Sequence, residues 1–273
     1  MNSLTIGGVP EHFNLPWQDW IRRRDLANLH PAVAWRSFPG GTGAMIEALE
    51  SGEIQVANLL TEGAVAGLHR GAHYSVEGVY VRSPLVWGIH VPANSRATEI
   101  SDLEQSRIAV SRLGSGSHLM AIALGAERGW QIEDDRFVVV GSLQGAIEAF
   151  EAGRADVFLW ERFMTQPVVD RGIFRRVGEY AAPWSAFVVC ASSALQAEDR
   201  AFLPEMIAAV NAEAAEFRLA ADTPLRIQAN FGLTRDQSAL WLQGTIWAEG
   251  IESPAGAMAA AESVLRLAGV IEA

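Results

Sequence analysis

Up to about residue 190, short apolar runs alternate with segments of helical periodicity. Residues 4–9 (LTIGGV) form an apolar run closed by glycine and proline, which predicts a first strand. A helix is predicted over 16–24, and a second strand over 32–38 leads into the turn Pro39-Gly40-Gly41-Thr42-Gly43. Residues 54–60 predict a third strand. Residues 78–91 form a longer apolar stretch interrupted by Pro84, read as strands leaving a first lobe. The pattern then restarts. Ser101-Asp102-Leu103 predicts a cap and a short helix, and 107–111 a strand. Gly114-Ser115-Gly116-Ser117 turns into a helix stopped by Gly129, 137–140 is a strand, and Ser142 caps a further helix. Residues 155–160 and 187–191 predict two more strands, the second returning to the first lobe. Beyond Ser193 the periodicity is helical: Leu203, Met206, Ile207, Val210, Ala214 and Phe217 share one face, and helices are predicted over 236–247 and 255–267.

One ten-residue phrase occurs twice. EALESGEIQV (47–56) returns as EAFEAGRADV (148–157), an offset of 101 residues. Each copy reads as helix, glycine stop, strand, with Gly52 and Gly153 fitting the left-handed residue that commonly ends a helix. The spacing is too wide for a solenoid and predicts two similar α/β lobes. Strand–helix alternation implies parallel pairing with right-handed crossovers. The expected architecture is therefore two lobes, each a mostly parallel sheet flanked by helices, joined by a two-crossing hinge. Residues 1–90 and 190–273 are assigned to the first lobe and 91–189 to the second.

Composition narrows the chemistry. A net charge of −11 argues against a nucleic-acid partner. All 21 basic residues are arginine, so neither a Schiff-base lysine nor a Walker lysine exists. Cys190 is the single cysteine and sits in an apolar strand at the hinge, which predicts an inert core thiol and no disulfide. The six histidines form no HExxH pair, Asp134-Asp135 reads as a surface turn, and no metal or cofactor is expected. The first residues carry no export signal. The expectation is a periplasmic or extracellular protein if a signal has been removed, and a cytoplasmic one if Met1 is the native start.

In open α/β sheets ligands gather beyond the carboxyl ends of the strands. The residues there are Glu11 and His12, then Gly41 and Thr42, then Thr61 and Glu62 in the first lobe. In the second they are Arg112, Ser115, Gly116, Ser117 and His118, then Trp160 and Glu161, with Trp184 before the return crossing. Glycines let backbone approach a ligand, and the free amides of a helix start suit an anionic group. The glutamates offer acceptors for donor groups, and Trp160 and Trp184 flat apolar walls. The competing readings are a capped helix start at Ser117, solvated loop acids, and core tryptophans. A Ser115 or Ser117 nucleophile with His118 as base is disfavoured, because near neighbours in sequence rarely align for that chemistry.

Several of these runs resemble a known family. Ser83-Pro84-Leu85-Val86-Trp87-Gly88-Ile89, the stretch 111–118, Trp160-Glu161 with Thr165 and Pro167, and Pro183-Trp184 resemble type II periplasmic-binding-protein-like proteins. The group in question is the nitrate, sulfonate and taurine substrate-binding proteins with their thiamine-pyrimidine-related cousins, including a branch found in bacteria and fungi. The resemblance implies two lobes closing on a small molecule, feeding an ABC-type permease. Fungal thiamine-pyrimidine synthases need a pyridoxal-phosphate lysine and a cysteine-rich iron motif, and the related desulfinases an early cysteine; this chain has none of these. Menaquinone-pathway enzymes of the same fold are not removed by composition. The expected function is a monomeric substrate-binding protein for a small organic ligand, anionic or heteroaromatic. The alternatives are a cytosolic lyase using Glu11, His12 or Glu161 as acid or base, and a ligand sensor.

Overall fold

The computed structural model describes residues 3–26 and 31–272. Met1 and Asn2, on which the export-signal reading rests in part, lie outside the described residues.

The chain opens with β1 (Leu4–Gly8), a single 3-10 turn (His12–Asn14), α1 (Leu15–Leu26) and β2 (Val33–Ser37). Then come α2 (Gly41–Glu50), β3 (Val56–Leu60), α3 (Thr61–His69) and β4 (Tyr74–Val81). After β5 (Val86–Pro92) and a 3-10 turn (Ile100–Leu103) follow β6 (Ile108–Val110), α4 (Gly116–Glu127), β7 (Phe137–Val139) and α5 (Leu143–Glu151). β8 (Val157–Glu161), α6 (Gln166–Asp170), β9 (Phe174–Ala181) and β10 (Phe187–Ser192) complete the strands. Four helices end the chain: α7 (Ala197–Leu219), α8 (Thr223–Phe231), α9 (Arg235–Gly244) and α10 (Ala255–Leu267).

The strands form two five-stranded sheets of matching plan, ordered β2-β1-β3-β10-β4 and β7-β6-β8-β5-β9. In each, two parallel pairings build one half, and one strand inserted from the hinge pairs antiparallel with both neighbours. That strand is β10 in the first sheet and β5 in the second. β10 is buried on both faces, which is why it reads as an uninterrupted apolar run. Phe187, Val188 and Val189 each contribute about 1.5–3 kcal/mol by full burial. Cys190 lies within it, wholly buried.

The repeated phrase falls once in each sheet. α2 buries Met45, Ile46, Ala48 and Leu49, Gly52 turns the chain at φ +77°, and β3 follows. α5 buries Ala146, Ile147, Ala149 and Phe150, Gly153 turns at φ +61°, and β8 follows. Ser142 caps α5 by accepting a hydrogen bond from the Gly145 amide at 3.2 Å. At the 3-10 turn the cap is Glu99, which forms a reciprocal capping box with Asp102, rather than the expected Ser101.

The apolar stretch 78–91 is two strands that belong to different sheets, so the chain changes lobe at 82–85 and returns at 182–186. The expected boundaries at 90/91 and 189/190 fall inside β5 and β10. The two crossings run side by side, tied by Ala182 N–H to Leu85 O (3.1 Å) and Ala186 N–H to Ser83 O (3.2 Å). The helical end of the chain covers the first lobe: α7 packs on α1 and β4, and α10 on α3. The exposed edge of β4 is closed by residues 246–252, which bond to Val79, Tyr80 and Arg82.

Candidate functional site

The carboxyl ends of β1, β3, β6 and β8 converge on the space between the lobes. About 440 Å³ of unfilled space lies there, part of it open to solvent. Its lining combines polar Glu11, Thr42, Ser111, Ser115, Ser117 and Glu161 with apolar walls that include Trp87 and Trp160.

Glu11 is carried on a tightly pinned turn. Asn58 on β3 donates to Asn14 Oδ1 (3.0 Å), and Asn14 Nδ2 donates to Val9 O (2.9 Å). Tyr80 Oη and Trp247 Nε1 both donate to Phe13 O. Glu161 is the last residue of β8, and its Oε2 accepts the amides of Phe163 (2.8 Å) and Met164 (2.7 Å). Burial pushes the Glu11 carboxyl up to about 7. Glu161 rises to about 8, first from burial and second from the Glu11 charge, against those two amides. Two carboxyls from opposite lobes therefore face one buried space, and the Glu11 charge adds to the cost of ionising Glu161.

The start of α4 is the second polar feature. Ser115 Oγ accepts the His118 amide (3.4 Å) and lies 3.0 Å from Ser117 Oγ, which in turn accepts the Ser111 amide (3.1 Å). The cap thus uses one of the orphan amides of the first turn. Those of Gly116 and Ser117 have no acceptor among the described residues. From the first lobe the start of α2 faces the same space with Gly41 and Thr42, and its cap residue Gly40 offers no side chain. Thr42 Oγ1 accepts the Leu60 amide (3.2 Å). Two helix starts from different lobes leave partial positive charge at one cavity.

Of the residues expected from sequence, Glu11, Gly41, Thr42, Ser115, Gly116, Ser117, Trp160 and Glu161 line the cavity. The others stand behind or beside it. His12 is wholly buried among Phe13, Phe231 and Trp241. Its Nε2 lies 3.8 Å from Glu161 Oε2, but burial holds the imidazole down to about 3 and the carboxyl up, so this contact is not an ion pair. Thr61 donates to Ser185 O, and Glu62 Oε2 accepts Trp184 Nε1–H at 2.9 Å. These three residues tie α3 to the return crossing and form no wall. His118 Nδ1 accepts the Gly114 amide (3.0 Å), so it is not paired with a serine hydroxyl and the nucleophile–base arrangement is absent. The Arg112 guanidinium reaches from the second lobe to occupy the space above Gly43 on α2, with Nη1 3.9 Å from Glu47.

The cavity also uses Val9 and Ser111, which adjoin the expected strand ends, and four residues that sequence reasoning missed: Leu60, Leu85, Trp87 and Phe187. Trp87 pairs in register with Glu161 across β5 and β8, and Phe187 with Leu60 across β10 and β3. Trp87 Nε1 is buried without a partner. Trp160 stacks on Phe158 at 5.1 Å and 20°.

The model of the Ca3427-like PBP family matches residues 87–180. Among curated proteins no sequence matches the chain significantly. Among solved structures, the Candida albicans CA3427 gene product, described as having the generic periplasmic-binding-protein fold, superposes with a TM-score of 0.91 at 25% identity, covering 100% of this chain and 92% of that one. The alkanesulfonate-binding protein SsuA of Xanthomonas axonopodis pv. citri, bound to MOPS, gives 0.82 at 18% identity over 100% and 95%. The periplasmic aliphatic sulphonate binding protein SsuA of Escherichia coli gives 0.71 at 19% over 99% and 91%. The chain thus has the two-lobed type II periplasmic-binding-protein-like fold, and its second lobe is similar to the Ca3427-like branch.

Proposed function

We propose that this chain is a substrate-binding protein whose lobes close on a small organic ligand, receiving an oxyanionic end of it at the starts of α2 and α4. The single observation that carries this reading is the meeting of two helix starts, one from each lobe, at one cavity, with the Gly116 and Ser117 amides of α4 unspent among the described residues. Such amides gain by accepting an anion rather than water, and the gain is realised only when the lobes are together. The walls of Trp87, Trp160, Leu60, Leu85 and Phe187 then shield an apolar body. The alkanesulfonate-binding neighbours support an oxyanion on an apolar body as the ligand type. An ABC permease and a compartment outside the cytoplasmic membrane go with this role.

Release of the small molecule carried by natively purified protein, its identification by mass spectrometry and its rebinding by calorimetry test the proposal. One organic molecule per chain bearing a sulfonate, phosphonate or carboxylate is expected. Recovery of a purely apolar or purely cationic molecule would contradict it. A second reading, an acid–base enzyme on the same scaffold, is favoured by the raised Glu11 and Glu161 carboxyls, which remain partly protonated near neutral pH. Conversion of the released molecule to product on incubation with the protein would decide for it.

A further inference from the structure

Beside the cavity, two arginines cross from one lobe to the other. Arg112, in the turn before α4, lays its guanidinium over Gly43 in the first turn of α2, where any Cβ would overlap it. Arg70, at the end of α3, runs the opposite way: its Nη1 lies 3.6 Å from where a Cβ on Gly114 would stand. Gly43 and Gly114 thus leave room for one cation each. Neither arginine lines the cavity, so this seam is distinct from the ligand space.

The charge at the seam is poorly compensated. Nε and Nη2 of Arg112 are buried with no hydrogen-bond partner among the described residues. Nη1 lies 3.9 Å from Glu47, whose side chain is 78% exposed, and a pair so open to water is worth little. The start of α2 carries the positive end of its helix dipole, and Arg112 stands against it. Burial pulls the Arg112 guanidinium below the ordinary arginine value, Glu47 opposes this, and the Arg70 charge adds to it. An arginine nonetheless stays charged at physiological pH. Buried donors without acceptors and a buried cation without a matched anion both cost free energy. With the lobes apart Arg112 regains water and the cost disappears, so the seam opposes closure.

We propose that Arg112, seated over Gly43 and beside Arg70, is a brake on closure that holds the empty protein open. This rests on the binding-protein reading above and adds the regulation of that site. Closure proceeds only when the molecule entering the cavity contributes more than the seam costs. The brake lowers the apparent affinity by the factor by which it disfavours the closed form, and it eases release. An empty closed molecule, which a partner reading closure would mistake for a loaded one, stays rare.

The test needs no ligand. Spin labels are placed on Ser51→Cys and Ala152→Cys, the exposed residues that end α2 and α5 at corresponding places in the repeated phrase. Cys190 is wholly buried and takes no label. Double electron–electron resonance on protein refolded free of bound molecules then reads the open and closed populations. With Arg112 in place the open form should dominate. Arg112→Met keeps an apolar stem and removes the charge and the unsatisfied donors, and should raise the closed-to-open ratio about tenfold or more. Arg70→Gln should move the ratio the same way by about 1.5- to 5-fold, the scale of a surface charge pair, and carries the test if Arg112→Met fails to fold. A shift toward the open form in Arg112→Met would make Arg112 a clamp, and unchanged populations would give it no part in closure; each overturns the proposal. Wild-type protein that is wholly closed when empty overturns it as well. The binding-protein reading is judged separately, by the molecule released from native protein.

Discussion

Trp184→Phe isolates one buried hydrogen bond at the hinge. Trp184 Nε1–H donates to Glu62 Oε2 at 2.9 Å, linking the return crossing to the first turn of α3. The residues are 3% and 1% exposed, so no water replaces the lost donor. Glu62 Oε1 has no partner among the described residues, and the substitution removes the one side-chain donor of Oε2. Burial holds Glu62 up to about 7 while its own backbone amide and then the indole pull it down, so the variant's carboxyl titrates higher still. The cost therefore depends on pH. At pH 8 the wild-type carboxyl is mostly ionised, and losing a bond to a charged acceptor costs about 1.5–3 kcal/mol. At pH 5.5 it is protonated and the loss falls to about 0.5–1.5 kcal/mol. For a chain of this size each kcal/mol lowers the melting temperature by about 2–4 °C, so the shift should be about 3–12 °C at pH 8 and about half that or less at pH 5.5. Differential scanning calorimetry at the two pH values reads this. The double variant with Glu62→Met replaces both partners with apolar groups and should recover most of the loss. A shift as large at pH 5.5 as at pH 8, or a double variant as unstable as the single, would refute the reasoning.

Two further outcomes follow from the same geometry. In ligand-free protein, Glu11, Glu62 and Glu161 titrate at about 7, 7 and 8 against 4.5 for ordinary glutamate, so the folded state holds more protons than the unfolded between those limits. Their contribution to stability is lost as pH rises through the folded values. His12 and His90, lowered to about 3 from 6.5, act in the opposite sense, but only below about pH 6.5. Urea-unfolding free energy should therefore fall between pH 6.5 and about 8 and then level; a rise across that window would contradict the account. Gly116→Val should weaken ligand binding about 5- to 150-fold with both lobes still folded. A Cβ there would stand 2.6 Å from Leu60 Cδ1 in the opposite lobe and 2.9 Å from Trp87 Cη2, and overpacking of this kind costs about 1–3 kcal/mol. Calorimetry with circular dichroism checks it, and unchanged affinity would mean the lobes do not close on Gly116.

The parts of this fold written in local periodicity were legible. The two copies of the repeated phrase read correctly as helix, left-handed glycine and strand, because apolar spacing and a glycine stop are both local signals. β9 was missed because its residues are half-buried and include Arg175, Arg176 and Glu179, so no clean alternation appears. α8 was missed because its only deeply buried apolar side chain is Ile227. At the cavity, reading beyond strand ends found Glu11, Ser115–Ser117 and Glu161. It misplaced Thr61 and Glu62, since α3 begins immediately after β3 and turns them into the interior. It chose Trp184 over Trp87 because only the β5–β8 register brings Trp87 beside Glu161, and pairing between strands some seventy residues apart leaves no local trace.

The central claim is closure of two lobes around a small molecule, and small-angle X-ray scattering tests it most directly. Protein stripped of its ligand by unfolding and refolding is compared with the same protein after the released molecule is returned, with binding followed in parallel by calorimetry. The account predicts a smaller radius of gyration in the loaded protein, as rotation about residues 82–85 and 182–186 brings the starts of α2 and α4 together. An unchanged scattering profile with binding established by calorimetry would contradict it.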